Sequence, residues 1–200
     1  DITPDPIICG ETTGGFSINY AGGTPNYTIS WSGPAVGSTT SPSLFANVSG
    51  LIPGLYTVTV TEVNGSTATT TVSIDILPVT NTTDGLHFAT IQAAIDASTT
   101  ETGDVIEVCQ GTYMESVVVN KSIHLKGKTG EVNNTFIMAP STLPNTSTQE
   151  SYIIKVSGAG VSAEISELTI KGPGPGGCGT IGYGILVRDA ANANIHNNKI

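Results

Sequence analysis

The chain has 200 residues, enough for one or two domains, with 38% hydrophobic residues to build cores and only 12% charged. The net charge of −9 is unevenly placed: residues 1–120 hold eleven of the 16 acids and no Lys or Arg, and all seven basic residues fall in 121–200. The first part has no cation to neutralise phosphate, which excludes nucleic-acid binding there. No apolar run reaches 18 residues, which excludes a membrane-spanning helix. Polarity rests instead on Thr, Ser, Asn and Gly, a mixture that suits strands joined by many turns.

Residues 1–78 read as an all-β module. Phe16, Ile18 and Tyr20 alternate with polar residues, as do Tyr27, Ile29 and Trp31. Tyr56, Val58 and Val60 alternate with threonines, and Val72 and Ile74 continue the pattern. A period of two turns one face to a core and the other to water. The breaks are turn chemistry: Gly22-Gly23-Thr24-Pro25, Pro53-Gly54 and Asn64-Gly65, the last a two-residue hairpin signal. Short strands at regular spacing predict a sandwich.

The stretch Gly22-Gly23-Thr24-Pro25-x-Tyr27-x-x-x-Trp31, then Gly50-Leu51-x-Pro53-Gly54-x-Tyr56 with its Thr/Val run, then Asn64-Gly65, resembles the SprB-type repeat over most of residues 5–76. That family is an immunoglobulin-like module of large bacterial surface adhesins. The resemblance implies an immunoglobulin-like β-sandwich over 1–78. It also implies a Cys just after the Asn-Gly turn, paired with an earlier one. Ser66 stands in that place, so the pairing within the module that the resemblance implies lacks its partner, and the state of Cys9 is left open. Three cysteines, Cys9, Cys109 and Cys178, allow one intramolecular disulfide, and their spacing does not say which.

Residues 79–85 read as a polar linker. Next, Ile91, Ala94 and Ile95 share one helical face, with Thr90 as N-cap. Val105-Ile106-Glu107-Val108 starts a series of strands separated by tight turns. Within it, Ile154 and Val156 correspond to Ile185 and Val187 at an offset of 31. Ile165, Leu168 and Ile170 correspond to Ile195, Asn198 and Ile200 at an offset of 30. Repetition at this period with short strands predicts a solenoid, each coil covered by the next. The glycine-rich run 172–182 cannot join a ladder and is expected to project.

The segment from Thr90 through Gly103-Asp104-Val105-Ile106-Glu107-Val108 and Gly111-Thr112-Tyr113 to Leu125-Lys126-Gly127 resembles the N-terminal cap and first coils of pectin-lyase-like proteins. The resemblance extends over about 84–200. It implies a right-handed parallel β-helix over 86–200 with an N-terminal capping helix, and more coils beyond Ile200. The fold class expected for the whole chain is therefore all-β.

That family holds pectate lyases and polygalacturonases as well as adhesins, so site residues must decide the chemistry. Glu164 and Glu167 are the nearest approach to the two carboxylates that glycoside cleavage uses. Arg188-Asp189, holding the only Arg, follows a predicted strand. Tyr27 and Trp31 are the candidates for a sugar platform. His87, His124 and His196 lack a Ser or Cys partner pattern, so no triad is predicted. The glycines of 174–182 lack the Lys of a phosphate loop. No cofactor is expected; calcium is the one ion an acidic surface would recruit. Seven N-x-[ST] sequons, at Asn26, Asn47, Asn64, Asn81, Asn120, Asn133 and Asn145, are what this composition yields by chance.

The expected function is that of a secreted or cell-surface interaction protein, adhesin-like, binding a polysaccharide or a surface protein along the solenoid. It is not expected to bind nucleic acid or insert into a membrane. Two alternatives stand beside it. One is a polysaccharide lyase or glycoside hydrolase with its catalytic coils mostly beyond residue 200. The other is an architectural unit that self-associates into an extracellular fibre.

Overall fold

The computed structural model describes residues 1–140, 151–172 and 182–200. Of the expected projecting loop 172–182, residues 173–181 with Cys178 lie outside the described residues, as does the sequon at Asn145. The described residues are mostly strand with one short helix, and the chain divides into two compact units, Asp1–Leu77 and Pro78–Ile200. No described helix is long and apolar enough to cross a membrane.

In the first unit, β1 (Ile2–Asp5), β2 (Gly14–Asn19) and β5 (Phe45–Leu51) form one antiparallel sheet. A second antiparallel sheet has the order β4 (Gly37–Ser41), β3 (Tyr27–Ser32), β6 (Gly54–Thr61), β7 (Thr67–Ile74). The alternation read from the sequence sorts the faces. Tyr56, Val58 and Val60 enter one core with Phe16, Ile18, Ile29 and Ile74, drawn from both sheets. Thr57, Thr59 and Thr61 take the opposite face of β6.

The β6–β7 turn is one residue longer than its Asn-Gly pair suggests. The Gly65 N–H donates to the Glu62 carbonyl (3.0 Å), and the Glu62 N–H donates to the Ser66 carbonyl (2.9 Å), which leaves Val63, Asn64 and Gly65 as the loop. A two-residue turn of the primed type would need Asn64 in the left-handed region as well. Only Gly65 is there, at φ 89°, closing a three-residue hairpin.

The second unit begins earlier than the sequence suggests. Residues 79–85 are not a linker: β8 (Val79–Asn81) pairs antiparallel with both β9 (Leu86–Phe88) and β10 (Val105–Val108). Val79 and Asn81 are fully buried. An unpaired β10 edge would be open to strand addition, and β8 covers it.

Helix α1 (Ile91–Asp96) follows, with Ile91, Ala94 and Ile95 buried. As expected, the Thr90 hydroxyl caps it by accepting the Ala93 N–H at 3.1 Å. The Glu115 carboxylate accepts the N–H groups of Ile91 and Gln92, both at 3.1 Å. Past the other end, the Lys121 ammonium donates to the carbonyls of Ala97 (2.8 Å) and Thr100 (2.9 Å). Both ends of the helix are thus met by charge of the complementary sign. Beneath it, the buried Asp104 carboxylate accepts from the Glu101 N–H (2.9 Å) and the Asn81 amide (2.8 Å), bonds that hold it below the usual carboxylate range.

From β10 onward the chain visits three parallel sheets in a constant order. The first pass is β10, β11 (Gly111–Met114) and β12 (Val117–Val119). The second is β13 (His124–Gly127), β14 (Thr135–Met138) and β15 (Ser151–Ser157). The third is β16 (Ser162–Ser166), β17 (Thr169–Lys171) and β18 (Gly182–Arg188), and β19 (Asn192–His196) opens a fourth. Each strand pairs with its counterpart in the next pass. Ile154 lies opposite Ile185, Val156 opposite Val187 and Ile165 opposite Ile195, at the offsets the sequence comparison gives. Where Leu168 recurs as Asn198, the Asn198 amide bonds the backbone of the pass before it: Oδ1 accepts the Leu168 N–H (3.0 Å) and Nδ2 donates to the Ile165 carbonyl (2.8 Å). The buried aliphatic residues from β10 to β17 make one core, with Ile185 and Ala193 of the last strands packed against it.

Cys9 and Cys109 are both disulfide-bonded, which decides a state that the sequence leaves open. The Ser at position 66 does not leave Cys9 unpaired.

Close approach of successive passes is sharpest at Gly127, where a Cβ would stand 2.1 Å from the carbonyl oxygen of Glu167. The obstacle is backbone and cannot rotate away. Gly127→Ala is therefore expected to destabilise the second unit by about 2–3 kcal/mol, read as an earlier urea midpoint for that unit's transition.

Candidate functional site

Along β10, β13, β16 and β19 the aliphatic residues Ile106, Leu125 and Ile165 point into the core, so their neighbours in sequence point out. The register lines these up in two columns. One runs Glu107, Lys126, Ser166, His196, and the other Val105, His124, Glu164, Asn194. Strand spacing of about 4.8 Å brings diagonal neighbours within hydrogen-bonding reach.

The contacts follow those diagonals. His196 Nε2 lies 2.8 Å from Glu164 Oε1; a carboxylate oxygen can only accept, so this nitrogen carries the proton. His124 Nε2 lies 2.8 Å from Ser166 Oγ and 3.5 Å from the same Glu164 oxygen. Beside them Lys126 Nζ and Glu107 Oε2 form an ion pair at 3.0 Å. Glu164 is thus a half-exposed carboxylate between two imidazoles, one on the strand before it and one on the strand after it.

The electrostatics are consistent with that geometry. The hydrogen bond from His196 is the main reason Glu164 ionises below the usual carboxylate range, with the positive potential of both imidazoles adding to it. Desolvation beneath its neighbours is the main reason His124 is less basic than an ordinary histidine; Glu164 opposes the shift, while Lys126 and His196 add to it. His124 Nε2 and Ser166 Oγ share one hydrogen bond, whose donor is set by the imidazole tautomer. This is not a nucleophilic relay. A triad needs its acid at Nδ1, whereas Ser166 and Glu164 both lie at Nε2, and Ser166 is only 2% exposed.

The residues singled out from the sequence are distributed as follows. Glu164 belongs to this face. Glu167 occupies the corner after β16 in the left-handed region (φ 59°) and accepts from the Asn197 amide at 3.3 Å. The two acids therefore engage different partners. Arg188 ends β18, and Asp189 begins the next turn at φ 57°. Tyr27 is 2% exposed and its hydroxyl donates to the Gly22 carbonyl (2.8 Å), so its ring belongs to the core of the first unit. Trp31 is half-buried, edge-on to Phe16 at 6.4 Å between centroids.

His124, Ser166 and His196 were missed as a group because they stand 30 to 72 positions apart in the chain. The offset of 30 finds part of the group, setting residue 196 beside 166 and 194 beside 164, whereas His124 stands opposite Glu164 at an offset of 40 that the sequence repeat does not give. Among the described residues, no three His, Cys, Asp or Glu side chains are grouped to hold a metal ion. No protein-family model, characterised protein or solved structure matches the chain.

His124, Glu164 and Asp104 all bind a proton less readily in this fold than in an unfolded chain. Their contribution to stability is complete near pH 7 and is lost on acidification. The His124 share is lost first, as pH falls below about 6.5, and the carboxylate shares below about 4.5. Chemical denaturation from pH 7 to pH 4 should show this fall. In an NMR titration His124 should protonate below the midpoint of an unfolded histidine, and Glu164→Gln should move it lower still.

Proposed function

We propose that the chain is part of a secreted or cell-surface interaction protein that holds a glycan along the outer face of its second unit. In this reading the second unit is a right-handed parallel β-helix with α1 as its cap. The first is an immunoglobulin-like sandwich of the SprB type, acting as a spacer or adhesive module. Three parallel sheets visited in constant order support the first assignment, and two antiparallel sheets over one core support the second. Disulfide-bonded Cys9 and Cys109 support an oxidising, extracytoplasmic location.

The observation that carries the reading is the ladder of His124, Glu164 and His196, backed by the buried Ser166, beside the Lys126–Glu107 pair. Donors and acceptors stand on consecutive strands of a rigid sheet, so a hydroxyl-rich chain laid across them meets groups already oriented. Binding is favoured over cleavage by the state of the acids. A glycosidase needs one carboxyl kept protonated, with its pKa raised. Glu164 is shifted the opposite way, and Glu107 is paired with Lys126.

Affinity electrophoresis in gels containing neutral or acidic polysaccharides, with and without calcium, tests this. The chain should be retarded by at least one polysaccharide. The double substitution Lys126→Ala/His196→Ala should weaken retardation about tenfold while circular dichroism stays unchanged. Unaltered retardation of that variant would sink the proposal, as would shortening of the polysaccharide by the chain.

A further inference from the structure

In the first unit β7 is the outer strand of the four-stranded sheet, and among the described residues β6 is the strand that pairs with it. A charge, a proline or a bulge ordinarily guards a sheet edge against other chains. The edge strand β1 of the opposite sheet has two of these, in Pro4 and Asp5. β7 has none. Its eight residues are uncharged and free of proline, and they pair with β6 without a register shift.

The hairpin fixes where the backbone groups of β7 point. The Glu62 N–H donates to the Ser66 carbonyl, so these two residues form a hydrogen-bonded pair, and bonded pairs alternate with open ones along an antiparallel ladder. Ala68, Thr70, Val72 and Ile74 therefore turn their N–H and carbonyl groups to β6, and Thr67, Thr69, Thr71 and Ser73 turn theirs outward. The same parity continues past the strand. The Asp75 carbonyl accepts the Ile7 N–H and the Leu77 N–H donates to the Ile7 carbonyl, both at 2.9 Å. Ile7 thus closes the edge from Asp75 onward. Among the described residues no hydrogen bond meets the outward backbone groups of Thr67, Thr69, Thr71 and Ser73.

We propose that β7 pairs antiparallel with β7 of a second copy of this chain, about a two-fold axis at Thr70, and joins the two four-stranded sheets into one. Thr69 then lies opposite Thr71 of the copy, and Thr67 opposite its Ser73, so every outward group finds a partner. Register selects this pairing. A shift of two residues one way sets Thr67 of the copy against Asp75, where Ile7 already sits, and a shift the other way leaves Ser73 unpaired. Beyond its Thr67 the copy's chain turns back through Val63, Asn64 and Gly65. With no charge on β7, no like charges meet across the pair. A second copy is the occupant because it brings the same open edge, so one contact closes both and the assembly stops at two. β4, the other edge of this sheet, has five residues and would cover only part of β7. The proposal concerns the first unit alone and does not depend on the glycan reading of the second.

The test is sedimentation equilibrium of the full chain, disulfides intact, over about two decades of concentration. The mean mass should rise from that of one chain to that of two and go no further. Two double variants read the register. Thr69 and Thr71 are exposed, so both variants should keep the circular dichroism of the parent. Thr69→Lys/Thr71→Lys sets lysine opposite lysine on both sides of the axis and should weaken association at least about tenfold. Thr69→Lys/Thr71→Glu sets lysine opposite glutamate at the same two places and should associate at least as tightly as the parent. A parent chain that stays single at every concentration would overturn the proposal. So would growth past two copies, which is what pairing of unlike edges produces, or a lysine–glutamate variant that associates no better than the double lysine.

Discussion

In residues 78–200, a strand of one pass can bury its inward side chains only because the next pass lies on it in register. Leu125 is covered because Ile106 and Ile165 stand on either side of it on paired strands, and Ile154 stands in the same relation to Val117 and Ile185. The same register supplies each pass with its hydrogen bonds. Burial and backbone pairing are therefore one constraint, and a slip by one residue would turn the aliphatic row outward and lose both together.

A stack of this kind has an unsatisfied edge, and the N-terminal residues of the second unit meet that need in two ways. At β10 the edge is covered by a true strand, β8, laid antiparallel. At β12 it is met by one side chain: Gln92 Oε1 accepts the Val118 N–H at 2.7 Å and Gln92 Nε2 donates to the Val118 carbonyl at 3.3 Å. The primary amide thus repeats the donor and acceptor of a strand residue from within a helix. This explains why a helix of only six residues, too short to be stable alone, is held at both ends, by Glu115 and by Lys121. The cap closes the edge only if Gln92 cannot shift.

Periodicity made much of this legible. The alternation in β6 and β2, the helical face of Ile91, Ala94 and Ile95, and the offsets linking Ile154 to Ile185 and Ile165 to Ile195 all follow from which residues must be buried. What was not legible depended on partners remote in sequence. Val79-Thr80-Asn81 looks like linker because three residues cannot display a period, and its strand character comes from β10, over twenty positions away. Asn64-Gly65 was read as a two-residue turn because composition names the turn residues but not the hydrogen bond that closes them. The site was half visible. Glu164 could be placed on the outer face by alternation beside Ile165, yet its imidazole partners become neighbours only once residues 124, 164 and 194 share a column.

That column also explains why histidines suit this position beside Glu164. Outward side chains on a parallel stack repeat at the strand spacing, so identical charges in one column repel at close range. A carboxylate flanked by imidazoles avoids the repulsion and receives a hydrogen bond, here from His196 at 2.8 Å. Lysine at position 124 would add a second cation beside Lys126 on the same strand face, and glutamate there would oppose Glu164. Imidazole satisfies Ser166 and tolerates Glu164 at 3.5 Å without adding charge near neutral pH. The face is thereby kept polar, hydrogen-bonded and low in net charge, conditions under which a neutral or weakly charged chain can lie across several strands without charge repulsion.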